Sequence, residues 1–351
     1  MTADPSDPAP GYLRRHRTGA ILVTLLLVLV AAVTAYGLYL NSQLDDIARF
    51  DSTLNTHQRA PEPTGEAAEA RNFLLLGVDK GSGETIEEEL ADGQWSPGAF
   101  RSDTIMLLHV PADREKAFLV SLPRDSLVQI PGHQRQKINA AFSYGGPDLA
   151  VRTVEALTGV YIDHVAMIDW AGFKDLTRAI GGVPVKVAET FTDPRNDRTW
   201  EAGTHILEGT KALQYVRTRY GLQDGDFDRI RRQQNFLRAV MRKTTSNGTL
   251  ANPIRLTNLV QAVTEATTVD SGFSTADIRR LALTLRGLGT KDVEFITAPM
   301  RGYADIDGVG SVVRLDKREC RALWDSVRND NVDSYLKEYG GDVLPDSDKI
   351  R

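Results

Sequence analysis

Arg217 and Arg219 stand two residues apart in the stretch Tyr215 to Gln234. In an extended backbone both side chains would leave the same side of the chain, forming a double guanidinium clamp. Asp226, Arg229 and Gln233 follow at i, i+3 and i+7, so a helix starting there would carry all three on one face, with Arg232 beside it. Guanidinium groups are planar, permanently charged and matched to pairs of phosphate oxygens, so the pattern points to an anionic ligand, most simply a phosphate or pyrophosphate. A solvated, arginine-rich helix face is the alternative that this stretch alone leaves open.

Three apolar runs upstream each have charged residues at one end. Asn72 to Val78 ends at Asp79, Thr104 to Val110 is preceded by Arg101 and Asp103, and Ala117 to Leu122 is followed by Arg124 and Asp125. Continuous apolar runs of this length suit strands buried on both faces. If the middle run is antiparallel to its neighbours, as the short polar turn at Pro111 to Lys116 suggests, the charged ends share one rim. Asp79 and Asp103 then form a reasonable pair for a hard cation such as Mg²⁺, which takes oxygen ligands and leaves room for phosphates and waters. Each aspartate taken singly reads more readily as a turn or cap residue. Lys137 is a further phosphate partner or a plain surface lysine.

The elements around these residues alternate. A helix opens at Gly145-Gly146-Pro147, a strand follows over Val165 to Ile168, and Asp169 caps a helix that Gly181-Gly182 stops before another strand, Val183 to Val187. Gly209 to Val216 reads as a short helix and Phe227 to Lys243 as a longer one. Caps at Asn252, Ser274 and Asp316 open three more helices, with a strand over Val293 to Ala298 between the last two. This alternation predicts a layered α/β domain. The tail from about Asn329 reads as polar and loose.

The 351 residues carry 42 Lys and Arg against 47 Asp and Glu, which argues against a surface built for nucleic acid and makes any anion site local. The lone Cys320 has no partner for a disulfide and reads as a core filler. Residues 1–17 form a short polar head ending in a basic cluster, and Thr18 to Leu40 contains no charged residue. That length spans a hydrocarbon core of about 30 Å as a single helix. The basic cluster on its N-terminal side places the head in the cytoplasm and the rest of the chain outside the cell membrane. Residues 41–71, with Pro61, Pro63 and Gly65, read as a stalk. The globular domain is then expected over 72–328, with a polar tail over 329–351.

LLLGVD at Leu74 to Asp79, RSDTIML at Arg101 to Leu107, SLPRD at Ser121 to Asp125 and KINAAF at Lys137 to Phe142 occur in that order. GFKDLTRAIGGVPV, LEGTKALQYVRTR and GDFDRIRRQQ follow them. The series resembles the motifs of the LytR-CpsA-Psr family over roughly Asn72 to Lys243, and a linked series is far more specific than any one motif. The resemblance implies a layered α/β/α domain with a central mixed sheet behind a single N-terminal transmembrane helix. It implies a phosphotransferase that moves an anionic glycopolymer, such as a teichoic acid or an arabinogalactan-type chain, from a polyprenyl-pyrophosphate carrier to peptidoglycan through a phosphodiester bond. Asp79 and Asp103 match the family's Mg²⁺ (or Mn²⁺) ligands. Arg101, Arg124, Arg217 and Arg219 match its pyrophosphate-binding arginines, and Lys137, Asp226, Arg229 and Gln233 match other polar positions of the pocket. The implied partners are the lipid-linked glycopolymer, peptidoglycan and membrane lipid. A polyprenyl-pyrophosphate phosphatase and a non-catalytic carrier-binding or regulatory envelope protein are the competing readings.

Overall fold

The run Arg71 to Lys80 sends Leu74, Leu76 and Val78 into one buried cluster and Phe73 into another. A strand apolar on both sides needs cover on both faces of its sheet, and the two clusters supply it. The computed structural model describes residues 30–52, 59–80, 89–90, 95–98, 100–194, 196–218 and 226–350. In chain order its strands are β1 (Ala48–Phe50), β2 (Arg71–Lys80), β3 (Phe100–Val110), β4 (Ala117–Ser121), β5 (Leu127–Gln129), β6 (Arg135–Lys137), β7 (His164–Asp169) and β8 (Val183–Val187). There follow β9 (Phe191–Asp193), β10 (Arg198–Trp200), β11 (Gly203–Leu207), β12 (Thr267–Asp270), β13 (Val293–Thr297), β14 (Met300–Ile306), β15 (Gly310–Leu315) and β16 (Asp342–Val343). The helices are α1 (30–45), α2 (Asn139–Thr158), α3 (Trp170–Ala179), α4 (Gly209–Arg217), α5 (Asp226–Thr244), α6 (Asn247–Leu250), α7 (Pro253–Ala266), α8 (Thr275–Gly287), α9 (Lys317–Arg328) and α10 (Val332–Tyr339).

Eight strands form one mixed sheet in the order β1-β12-β7-β2-β3-β4-β13-β16. β3 is antiparallel to both β2 and β4, while β7 runs parallel to β2 and β13 parallel to β4. The charged ends of the first three apolar runs therefore do meet on one rim. One face of the sheet is covered by α2, α9 and α10, through Phe142, Val151, Leu323, Trp324 and Tyr335. The other is covered by α1, α5 and α8, through Leu44, Leu237, Met241 and Leu281. The α/β architecture with a large mixed sheet is borne out. Cys320 is a buried thiol in the first cluster, its Sγ 3.3 Å from the Pro299 carbonyl, and burial pushes it up to about 12.

The helix caps at Asp169, Asn252, Ser274 and Asp316 all form, each side chain accepting from a backbone N–H in the first turn. Other expectations need correction. The residues read as a stalk include β1, which pairs with β12 and buries Phe50 in the core. Arg59 in the same segment forks onto Glu155 with nitrogen–oxygen distances of 2.7 and 2.9 Å. The tail read as loose forms α10 and β16, burying Val332, Tyr335 and Leu344. A three-residue strand and a two-turn helix are too short to show periodicity, so tertiary packing decides them. The helix expected from Gly145 begins earlier, at Asn139, and is interrupted where Gly146 takes φ 64°. Residues 18–29 of the expected transmembrane segment lie outside the described residues, and no described helix is long and apolar enough to cross a membrane.

Candidate active site

The rim where β2 and β4 end and β3 begins gathers the predicted charged residues. Asp79 sits opposite Arg101 in the β2–β3 register. The pairing slips between Gly77, opposite Thr104, and Val78, opposite Ser102, so Asp103 is the extra residue of a bulge. Bulges bend a strand and re-aim a side chain. Asp103 forms an ion pair with Arg124, which lies three residues beyond β4. Arg124 also lies 3.6 Å from Asp125, and Lys137 reaches the other oxygen of Asp125 at 3.2 Å. Lys137 is held there by its neighbours, since Ile138 N–H donates to the Ser126 carbonyl and Asn139 N–H to that of Arg124. It is a member of the cluster.

A second element reaches the rim from the side. Arg217 is the last residue of α4 and donates to Asp79 at 2.8 Å. Its guanidinium also lies 5.3 Å from the Trp170 ring centroid, a cation–π contact. The expectation that Arg217 lies in extended backbone is therefore corrected. Ala212, Tyr215 and Val216 bury one helical face in a satellite core, and that packing sets the helix to Arg217. Arg219 lies outside the described residues. Trp170 escaped notice in the sequence, although it directly follows Asp169, which pairs with Val78 beside the rim.

Helix α5 begins at Asp226, whose backbone alone is described. Arg229 is 4% exposed, and Gln233 donates to the Val216 carbonyl at 3.3 Å, so the predicted face points into the protein at the rim. Arg232, which the spacing places beside that face, is the largest fully buried side chain among the described residues. It donates to the Thr218 carbonyl and lies 5.0 Å from the Phe191 ring centroid. Burial lowers it to about 10, opposed by Tyr215, Asp228 and Asp193, so it stays charged at neutral pH. Burial likewise raises Tyr215, in the same cavity, to about 12. Gln234, also missed in the sequence, donates to Ser121 Oγ and the Ile296 carbonyl, both at 3.0 Å, pinning α5 to the ends of β4 and β13.

The rim therefore offers Arg101, Arg124, Lys137 and Arg217 beside three carboxylates, Asp79, Asp103 and Asp125. The Arg217–Asp79 pair is the more exposed of them, and exposed pairs are worth little, about 0–1 kcal/mol, so Arg217 can exchange its carboxylate for a phosphate at small cost.

The model of the LytR_cpsA_psr family matches residues 38–329. The chain is 39% identical to a probable cell wall biosynthesis protein, LcpB, of Corynebacterium glutamicum, over 85% of this chain and 70% of that protein. It is 32% identical to the polyisoprenyl-teichoic acid–peptidoglycan teichoic acid transferase TagU of Enterococcus faecalis, over 88% of this chain and 96% of that one. Among solved structures it is similar to a TagT bound to LIIa-WTA, with a TM-score of 0.60 at 25% identity, covering 80% of this chain and 99% of that one.

Proposed function

The chain belongs to the LytR-CpsA-Psr family, and from that premise we propose that it is a cell-envelope phosphotransferase that joins a glycopolymer to peptidoglycan. The observation that carries this reading is the rim itself, where Arg124 and Arg217 on separate elements reach Asp103 and Asp79 on adjacent strands. Phosphoryl transfer requires little covalent chemistry from the protein. It requires positioning and neutralisation of charge on the equatorial oxygens, which convergent guanidinium groups supply.

The donor is a glycopolymer on a polyprenyl pyrophosphate. Arg101, Arg124 and Arg217 grip its phosphates, with Lys137 at the edge and Arg229 and Gln233 behind them; Arg219 and Asp226 are assigned to the same donor by the motifs they match. A hydroxyl oxygen of the peptidoglycan glycan attacks the phosphorus that bears the glycopolymer. The bond from that phosphorus to the bridging oxygen breaks, polyprenyl phosphate leaves, and the hydroxyl proton passes to a rim carboxylate.

Among the described residues no group of three or more His, Cys, Asp or Glu could hold a metal ion by itself. Asp79 and Asp103 instead make the two-carboxylate donor set that Mg²⁺ uses when substrate phosphates and waters complete its shell, so the residues fit a metal that arrives with the donor. When bound there, Mg²⁺ or Mn²⁺ would draw negative charge from the pyrophosphate. The N-terminal apolar run anchors the chain in the cell membrane, with the head cytoplasmic and the domain on the outer side.

The test incubates the full chain in detergent with a short polyprenyl-pyrophosphate-linked glycan and a peptidoglycan oligomer, read by mass spectrometry. Conjugate is expected with the intact protein and not with Asp103→Ala. Free glycan phosphate without conjugate would make the protein a hydrolase, and an untouched donor would remove the catalytic reading.

A further inference from the structure

A second concentration of positive charge lies at the other end of the sheet. A cavity of about 520 Å³ is lined by Lys186, Arg238, Arg242 and Lys291, against the carboxylates of Glu294 and Asp346. Its place in the fold follows from strand directions. Val293 opens β13 opposite Ala117, the first residue of β4, whereas the arginine–aspartate rim lies beyond the last residue of β4. Arg238 and Arg242 lie on α5, about 18 and 24 Å along the axis from Asp226 at 1.5 Å per residue.

The side chains are set for an anion. Arg238 is tied down by its Nη2, which donates to Asn235 Oδ1 at 3.0 Å and to the Pro345 carbonyl and Ser347 Oγ, both at 2.9 Å. Its Nε–H is enclosed without an acceptor. Burial, and then the neighbouring charge of Arg242, disfavours the charged form of Arg238, which Asp346 only partly offsets. Asp346 is itself shared with Lys349 at 3.3 Å. A held cation with a like-charged neighbour is an arrangement that a phosphate in the cavity would relieve. Val293, Phe295 and Leu344 add an apolar wall.

The direction of α1 indicates where such a phosphate comes from. Tyr36 OH donates to the Pro253 carbonyl at the start of α7, and Thr264 Oγ1, near the end of α7, donates to the Gln43 carbonyl. The two helices therefore run parallel, and α1 begins at the Pro253 end. That end follows α6, directly after the C-terminus of α5. The described part of the uncharged run, from residue 30 onward, thus enters the fold on the side where Arg242 lies.

We propose that this cavity binds the phosphodiester headgroup of an anionic phospholipid of the membrane that anchors the chain. The inference rests on the anchored topology proposed above and not on the transfer chemistry. Headgroup capture there holds the basic end of the sheet at the bilayer surface.

Native mass spectrometry of the full chain in neutral detergent, titrated with phosphatidylglycerol or phosphatidylcholine, tests this. One saturable phosphatidylglycerol is expected per chain, bound about tenfold or more tighter than phosphatidylcholine and weakened about tenfold or more by Arg242→Glu with Lys291→Glu. Both substituted residues are exposed, and an unchanged melting temperature verifies the fold. Soluble glycerophosphoglycerol should compete with the lipid. Equal binding of the two lipids, no effect of the double variant, or no competition by the soluble headgroup would each overturn the proposal. Transfer activity measured on the same samples separates the two readings: its absence with lipid selectivity intact breaks only the transferase, and the reverse breaks only this site.

Discussion

At the strand ends, Arg124, Lys137 and Arg217 face Asp103, Asp125 and Asp79 across ion pairs partly open to solvent. Along α5, in contrast, Arg229 and Arg232 are enclosed, and Arg232 is held by a backbone carbonyl and aromatic faces. The same residue type therefore does two jobs within one site. A guanidinium paired at the surface gives up its partner readily when a phosphate arrives. One sealed in a cavity costs too much to move and fixes the ends of α4 and α5 against each other.

The contrast can be broken by substitution. Arg217→Ala should lower transfer by about 10²–10³-fold, roughly 3–4 kcal/mol of transition-state stabilisation, with little change in denaturation midpoint. A large stability loss with activity retained would move Arg217 to the structural side. Arg232→Ala should do the opposite, costing about 3 kcal/mol in urea denaturation through the lost volume and the orphaned Thr218 carbonyl. Arg232→Met, which keeps the volume, should recover most of that stability. If Arg232→Met folds well and yet fails to bind donor, Arg232 belongs with the binding arginines.

The pH dependence sharpens the same contrast. Tyr215 is raised by burial to about 12, so the folded chain keeps a proton that the unfolded chain loses near pH 10. Its contribution is whole below pH 10 and is lost as the pH climbs towards 12, about 1.4 kcal/mol of it by pH 11. Tyr215→Phe should therefore gain on the unsubstituted protein by that amount between pH 9 and 11 in denaturant titrations. Arg232, lowered to about 10, acts in the opposite sense, because alkali relieves its buried charge. The smallest effect is expected from Lys137→Ala, a few-fold rise in donor KM, about 1 kcal/mol, with kcat nearly unchanged.

Much of the strand half was legible because it needs only two inferences, that apolar runs are strands and that short turns make them antiparallel. Asp79, Arg101, Asp103 and Arg124 then have to share a rim, and they do. The helix half was less legible. A spacing of two places Arg217 and Arg219 on one side only in extended backbone, while Ala212, Tyr215 and Val216 at i, i+3 and i+4 carried the helical signal that prevails. Nothing local distinguishes Arg232 from Arg231. One is wholly buried and the other reaches Asp342 from a half-exposed position, a difference set by the satellite core of β8 to β11. Strand β1 and helix α10 were missed for the same reason, since their burial depends on partners more than 200 residues away in sequence for the one and on packing against α9 for the other.

The bulge at Asp103 restricts how this chain can change length. A Cβ on Gly77 would stand 2.9 Å from Thr104 Cβ, so the two strands already touch at the slip. Losing one residue from 102–104 would restore even pairing and turn either Arg101 or Asp103 to the opposite face of the sheet. Point substitutions away from Gly77 leave the rim's frame intact, whereas a single-codon deletion there dismantles it.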